Sequence, residues 1–328
     1  MSKMKTAIIL INWHGADDTI ACLESLSRMK EQHTVVIGDN GSTDDSVLRI
    51  QQWLDENAGR PNVAGYRIVG LGKNYGFAVG NNKAIDLAMQ DAPDYCMLLN
   101  NDTEVEPDTL THLLDYVKAN PAAKILSPCI CYHSNKEKVW FSGGKLTFGT
   151  RKNLYAEQLR TVVGLEPFPI NFVSGCALFF DASLLNEKNE LLYNGFFFGE
   201  EDYEFSLRMR NQSVQMVCVP RSLVYHKVGS SQKNTKDSRG LGRIYMYYHN
   251  RLICNRLYEP RLKFYLICLL NSITCLKYFK SYSGSFRTAV KLLRRLIKDV
   301  FTKNSFDYND FRALMFENRY FDFDVTLK

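Results

Sequence analysis

Residues 7–11, 34–37, 66–69 and 95–99 form four short apolar runs, each followed by a polar turn and a helix-forming stretch. This spacing constrains the fold more than any other feature of the chain. Apolar runs of this length are too short for buried helices and long enough for buried strands. The stretches between them predict helices. Asp17 or Asp18 caps one that continues to Lys30, Ser42 or Thr43 caps a second reaching about residue 57, and residues 77–90 form a third. Pro107, at a favoured first-turn position, starts another helix after the fourth run. Strand and helix in alternation build a parallel sheet with right-handed crossovers, and such sheets gather ligands at the carboxyl ends of their strands.

The 328 residues suit one large domain with an appendage, or two domains. The net charge of +6 is unevenly spread: from Asn255 to Lys328, fourteen Lys and Arg stand against seven Asp and Glu. A basic C-terminal region predicts an anionic partner. A membrane surface is the expected one, and nucleic acid is not, because the region carries no recognised reading module. The nine cysteines are scattered and form no CxxC pair, which fits reduced thiols rather than a disulfide framework or a zinc site. Two lysines precede the first apolar run, but that run is only about seven residues long and leads into Asn12 and His14, too short for an export signal. The expected location is cytoplasmic, peripheral at the inner face of the cell membrane.

Past the fourth run the rhythm loosens. Residues 139–150, with Gly143, Gly144 and Gly149, predict a hairpin or mobile loop, and residues 171–180 are an apolar run broken by Ser174 and Gly175. Residues 200–210 predict a helix, and residues 214–219 a short strand ended by Pro220. Helices follow over about 240–258, 262–279 and 286–300. Residues 264–276 are strongly apolar yet hold Asn271, Ser272 and Thr274 and lie between Lys263, Lys277 and Lys280. That is shorter than the roughly 20 apolar residues of a membrane span and predicts an interfacial or a packed helix. The division expected is an α/β domain over 1–238 and a basic helical region over 239–328.

Asn100, Asn101 and Asp102 close the fourth run. A carboxylate beside two amides at the end of a buried strand suits a hard divalent cation that bridges phosphates, and a polar turn is the plainer reading. Asp39 ends the second run in Asp39-Asn40-Gly41-Ser42-Thr43-Asp44. It can accept from a ribose hydroxyl or a base N–H, or simply cap and turn. The loop from Gly70 to Ala78 is glycine-rich and opens a helix, but its spacing departs from GxGxxG. Asn81 and Asn82, one turn into that helix, either contact a ligand or face water.

Six segments in order resemble the motifs of the family 2 glycosyltransferases with the GT-A fold, especially bacterial rhamnosyltransferase-like members that build surface polysaccharides. They are Ile9-Leu10-Ile11-Asn12-Trp13, Asp39 to Asp44, Asn74-Tyr75-Gly76-Phe77-Ala78-Val79-Gly80-Asn81-Asn82, Leu98-Leu99-Asn100-Asn101-Asp102-Thr103, Phe172-Val173-Ser174-Gly175-Cys176-Ala177 and Glu201-Asp202-Tyr203-Glu204-Phe205-Ser206-Leu207-Arg208. They cover roughly residues 5–230, with a weaker match at Tyr247-Tyr248-His249-Asn250-Arg251. The resemblance implies an α/β GT-A fold, with a mostly parallel central sheet and a C-terminal helical appendage.

It also implies residue roles. Asp39 contacts the nucleobase of a nucleotide-diphosphate sugar donor, Asn12 lies near the same pocket, and Asn74, Gly76, Phe77, Asn81, Asn101 and Gly175 belong to the donor site. Asp102 is the last carboxylate of a DxD-like motif that holds Mg²⁺ or Mn²⁺ on the donor diphosphate. Asn100 stands at the first acidic position, one charged ligand fewer, and His226 is a third ligand or a donor to the diphosphate. Lys227 and Ser230 are candidate phosphate binders. Glu200-Glu201-Asp202, after Phe196-Phe197-Phe198, exceeds what helix capping needs. Asp202 is the implied general base and Glu201 the second candidate. Trp13 and the three phenylalanines can stack on sugar faces or pack in the core. His14, His33, His112 and His133 show no ligand spacing.

Displacing a nucleoside diphosphate builds negative charge on the leaving oxygen, which a divalent cation neutralises, and the attacking hydroxyl needs a base. The expected activity is inverting transfer of a sugar, such as rhamnose from a dTDP donor, to a hydroxyl of a lipid-linked saccharide. Two other readings remain at this level: a nicotinamide-dependent oxidoreductase using Gly70, Gly72, Gly76 and Asp102, and a non-catalytic sugar-nucleotide binding relative, suggested by Asn100.

Overall fold

The structure is a computed structural model and describes residues 4–59, 62–156, 158–228, 238–317 and 320–321. The first half follows the predicted alternation: β1 (Thr6–Asn12), α1 (Ala16–Leu26), β2 (His33–Asp39), α2 (Ser46–Glu56), β3 (Val63–Gly70), α3 (Gly76–Ala88) and β4 (Tyr95–Leu99). β1 pairs in parallel with β2 and β4, and β2 with β3. Successive side chains of β1 serve opposite faces, as the pleat requires. Ile8 and Leu10 pack with Leu23 and Leu26 of α1, while Ala7 and Ile9 pack with Ala84 and Ile85 of α3.

The second half is β5 (Thr103–Val105), α4 (Thr109–Ala119), β6 (Ile125–Tyr132), β7 (Asn135–Phe141), β8 (Gly144–Leu146), β9 (Arg151–Asn153), α5 (Leu159–Val162), β10 (Phe168–Ile170), β11 (Ala177–Asp181), α6 (Glu201–Asn211) and β12 (Met216–His226). It extends the sheet beyond β4 with mixed pairing. β11 runs antiparallel to β4 and β6, and β12 runs parallel to β6 and antiparallel to β5 and β10. β8 and β9 form a separate two-stranded antiparallel ribbon, so the hairpin expected over residues 139–150 spans 144–153, and residues 139–141 belong to β7.

Pro220 does not end its strand. The register of β12 on β6 shifts between Val219 and Leu223, and the strand resumes to His226. Such an irregularity is where a sheet tolerates a residue without an N–H. The extra length brings His226 opposite Thr103 of β5.

The last third is α7 (Ser238–Tyr258), α8 (Arg261–Ser283), α9 (Phe286–Thr302) and α10 (Tyr308–Met315). α7 is built into the protein: Tyr245, Leu252, Ile253 and Cys254 are buried, and the helix packs on α6, α8 and α9. α8 has 23 residues, longer than expected, and by length and composition it could cross a membrane. One side, including Phe264, Ile267, Cys275 and Phe279, is buried against the protein, while Leu262, Tyr265, Leu266, Leu269, Leu270 and Ile273 are exposed.

Candidate active site

At the carboxyl end of β2, Asp39 is buried and held from three directions. Its Oδ1 accepts from Asn12 Nδ2 at 2.8 Å and from Ser42 Oγ at 2.6 Å, and its Oδ2 accepts from the Ser42 backbone N–H at 2.9 Å. Ser42 is thereby committed to Asp39 and does not cap α2, whose N-cap is Asp45. Asn12 in turn accepts from Thr19 Oγ1 at 2.9 Å. The Asn101 amide donates to the same Thr19 oxygen at 2.9 Å. Asn101, Thr19, Asn12 and Asp39 thus form one chain of hydrogen bonds across the ends of β4, α1, β1 and β2. Nothing in the sequence singled out Thr19.

The loop before α3 is built by amides. Asn74 Oδ1 accepts from the Gly76 N–H at 2.8 Å and from Asn40 Nδ2 at 3.2 Å, and Asn40 Oδ1 accepts from the Tyr75 N–H at 3.0 Å. Gly76 has φ +80°, and a Cβ there would lie 1.9 Å from the Phe197 carbonyl oxygen, so only glycine fits. Phe77 N–H donates to that carbonyl at 3.2 Å. Asn81 is buried and donates to the Phe77 carbonyl. Asn82 neither faces water nor lies free for a ligand. Its Oδ1 accepts from the N–H groups of Leu191 and Leu192, and its Nδ2 donates to Leu192 O and Asn194 Oδ1. It fastens the segment that leads into α6.

After β4, Asp102 Oδ1 lies 3.3 Å from His226 Nε2. The Lys227 N–H donates to the Asp102 carbonyl at 3.0 Å, and the Lys227 ammonium pairs with Asp18 at 2.7 Å. Trp140 meets the His226 ring edge-on, with centroids 4.9 Å apart. Asn100 sits on the same turn, its N–H donating to the Cys176 carbonyl at 2.8 Å and its own carbonyl accepting from Thr103 Oγ1. Among the described residues no three His, Cys, Asp or Glu side chains converge. Ser230 lies outside the described residues.

The three acids at the start of α6 have three different fates. Glu200, at φ +72°, pairs with Arg251 Nε at 2.5 Å, and both are almost wholly buried. The Arg251 guanidinium lies between the rings of Tyr203 and Tyr247, at 4.1 and 4.5 Å. Glu201 turns inward and accepts from the Gly199 N–H at 2.7 Å, and burial pushes its carboxyl up to about 8. Asp202 remains partly open, with its Oδ1 accepting from Arg151 Nη1 at 2.9 Å. Asn250 of α7 donates to the Phe198 and Gly199 carbonyls just before these acids.

Gly175 lies between the loop before α3 and the acids of α6. A Cβ on it would stand 3.3 Å from the Phe77 ring and 3.8 Å from Asp202 Cβ. Its neighbour Cys176 carries the carbonyl that receives the Asn100 N–H. The buried Cys176 thiol is pushed up first by burial, then by Asp102, Cys22 and Asp202 in that order. The Asn100–Asp102 turn and Asp202 therefore flank the same short segment. Arg151 and Arg251 were not anticipated. Arg251 falls in the weak Tyr247–Arg251 match, and Arg151 has no local signal.

The family model of glycosyl transferase family 2 matches residues 7–184, more than half of the chain, and the protein belongs to that family. Solved structures share the architecture. The mannosyltransferase PcManGT from Pyrobaculum calidifontis, in complex with GDP-Man and Mn²⁺, is 12% identical, with a TM-score of 0.52 over 91% of this chain and 86% of that one. TarS 1–349 of S. aureus is 13% identical, with a TM-score of 0.53 over 96% and 91%. GalNAc-T7 with UDP, GalNAc and Mn²⁺ is 11% identical, with a TM-score of 0.58 over 98% of this chain and 58% of that one. At these identities the likeness is one of fold. No curated protein matches the chain in sequence. The fold is the GT-A type of α/β architecture with a helical C-terminal region, and the protein is a glycosyltransferase that uses a nucleotide sugar. The oxidoreductase reading falls with this. Its last glycine, Gly76, is filled by the Phe197 backbone rather than open to a pyrophosphate.

Proposed function

We propose that this enzyme is an inverting glycosyltransferase with Asp202 as general base. One observation carries the reading. Of the three acids opening α6, Glu200 is neutralised by Arg251 and Glu201 is turned inward, so Asp202 alone of them is partly exposed, beside Gly175, whose neighbour Cys176 accepts from the Asn100 N–H. A single carboxylate there suits one base-assisted displacement, whereas a covalent sugar intermediate needs a separate nucleophile.

Asp102, His226 and Asn100 are the proposed ligands of Mg²⁺ or Mn²⁺. Asp102 Oδ1 and His226 Nε2 already point at one another. Such a cation keeps several waters and takes its other oxygens from substrate phosphates, so a small protein set suffices. When bound, it neutralises charge on the departing diphosphate. PcManGT and GalNAc-T7 were solved with Mn²⁺, which supports a divalent cation in this enzyme. Asp39, aligned by Asn12 and Ser42, is proposed to receive the nucleoside, with exposed Trp13 beside the same strand end. Asn74, Gly76 and Phe77 shape the donor loop. Asn81 and Asn101 support it from behind, and Gly175 leaves room for the sugar.

The donor proposed is a dTDP-linked deoxyhexose such as rhamnose, and the acceptor a hydroxyl of a lipid-linked saccharide in cell-surface polysaccharide synthesis. The motif resemblance supports both. Residues 1–238 are taken as the catalytic part, and residues 239–328 as the part that meets an anionic membrane at its cytoplasmic face. On α8 the exposed apolar stripe ends in exposed Lys277 and Lys280, the pattern of a helix lying in a lipid interface.

The deciding experiment is Asp202→Asn. Nucleotide-sugar turnover should fall about 10³-fold, the usual scale for a lost general base. Binding of dTDP with Mn²⁺, followed by calorimetry, should persist. Full turnover in this variant excludes Asp202 as the base.

A further inference from the structure

The β8–β9 ribbon belongs to none of the segments that resemble family motifs, yet it delivers a side chain to the proposed base. It is pinned at both ends. At its root the Gly144 N–H donates to the Phe172 carbonyl and the Phe172 N–H to the Gly144 carbonyl, at 3.0 and 3.1 Å. A Cβ on Gly144 would stand 2.5 Å from the Phe172 ring. At its tip Gly149, with φ +71°, lies against Ile267 of α8, where a Cβ would come within 2.6 Å of Cγ2. Between these fixed points Arg151 lays its guanidinium 4.9 Å from the centre of the Phe172 ring. It donates to Asp202 through Nη1, and the bond goes to Oδ1.

We infer that Arg151 is a positioning residue for Asp202. It grips Oδ1 and so leaves Oδ2 turned toward the incoming hydroxyl. The inference rests on Asp202 being the base. In the step it serves, the hydroxyl proton passes to Asp202 Oδ2 as the hydroxyl oxygen bonds to the anomeric carbon. The bond from that carbon to the diphosphate oxygen breaks, and its electron pair leaves with the nucleoside diphosphate. An exposed ion pair on a loose loop would do little for either stability or rate. Here the cation is held by a ribbon anchored at Phe172 and Ile267, so the pair fixes an orientation.

The test uses Arg151→Gln, Arg151→Lys and Asp202→Asn, singly and combined. The readout is turnover of the nucleotide sugar that the wild type accepts, dTDP-rhamnose first and UDP-sugars next, with water as acceptor. In Arg151→Gln, kcat should drop about 30-fold with donor KM and dTDP·Mn²⁺ affinity within about twofold, the split expected for a group that acts only on the chemical step. Arg151→Lys should restore part of the rate but not all of it, since a point charge lacks the planar fork. On the Asp202→Asn background, Arg151→Gln should change the residual rate by less than about twofold. Wild-type kcat in Arg151→Gln overturns the inference alone, as does a further large loss on the Asp202→Asn background. Full turnover in Asp202→Asn removes the base assignment and this inference with it.

Discussion

The two parts of the proposed site are held by different forces. At the nucleotide end the work is done by neutral groups: Asn12, Asn40, Asn74, Asn101, Thr19 and Ser42 bond one another and the backbone and leave Asp39 in place. At the acid end it is done by full charges. Glu200 meets Arg251 and Asp202 meets Arg151, each partner 51 residues away along the chain. The neutral network fixes geometry through hydrogen bonds, without an ion pair to Asp39 among those bonds. The charged one holds Glu200 and Asp202 by ion pairs. It also stakes stability on pairing, because a desolvated charge without its partner is costly.

The largest expected effect comes from breaking the buried pair. Arg251→Leu leaves Glu200 charged and unpaired inside the protein and should cost roughly 3–5 kcal/mol in a denaturant melt. Adding Glu200→Gln should return part of that loss. A melt within about 0.5 kcal/mol of wild type would mean that the acid end does not depend on charge pairing.

A medium effect separates the acids from one another. The carboxyl of Glu201 is raised in the folded protein to about 8 from 4.5. The folded state therefore holds a proton that the unfolded chain has lost. The stability this gives is complete below about pH 4.5 and is lost as pH rises toward 8. From pH 5 to pH 7 the group should remove roughly 2–3 kcal/mol of wild-type stability. Glu201→Gln keeps the acceptor for the Gly199 N–H and should lack this slope. Parallel slopes in the two proteins would place Glu201 in contact with solvent.

The smallest effect on stability tests the outer face of the C-terminal region. Leu266→Glu with Leu269→Glu should change folding stability by no more than about 0.5 kcal/mol, as both side chains are exposed. Co-sedimentation with vesicles containing phosphatidylserine should nevertheless be lost. Retained sedimentation would refute docking through α8. Cutting the chain at Asn255 is a poorer test, because Asn255 bonds Tyr203 of α6 and the helices beyond it cover α7.

Much of this was legible in one dimension. The parallel strands β1 to β4 are short apolar runs whose ends carry Asn12, Asp39 and the Asn100–Asp102 turn, and local periodicity suffices to place them. Legibility failed where a distant partner decided the outcome. Ser42 looked like a helix cap and instead binds Asp39. Pro220 looked like a strand end, but the pairing of β12 with β6 carries it through a register shift. Asn82 looked free to meet a ligand and is consumed by the segment at Leu191–Asn194.

By itself the sequence determined that strands and helices alternate, that polar groups fall at the strand ends, and that three acids open one helix. Those are properties of neighbours along the chain, set by hydrophobic period and turn chemistry. Only the tertiary structure decided which acid is buried in an ion pair, which is buried with its carboxyl raised, and which stays partly exposed. Ionisation and exposure depend on what stands within a few ångströms in space, and here those neighbours are a ribbon arginine and a C-terminal helix that no local pattern could bring near.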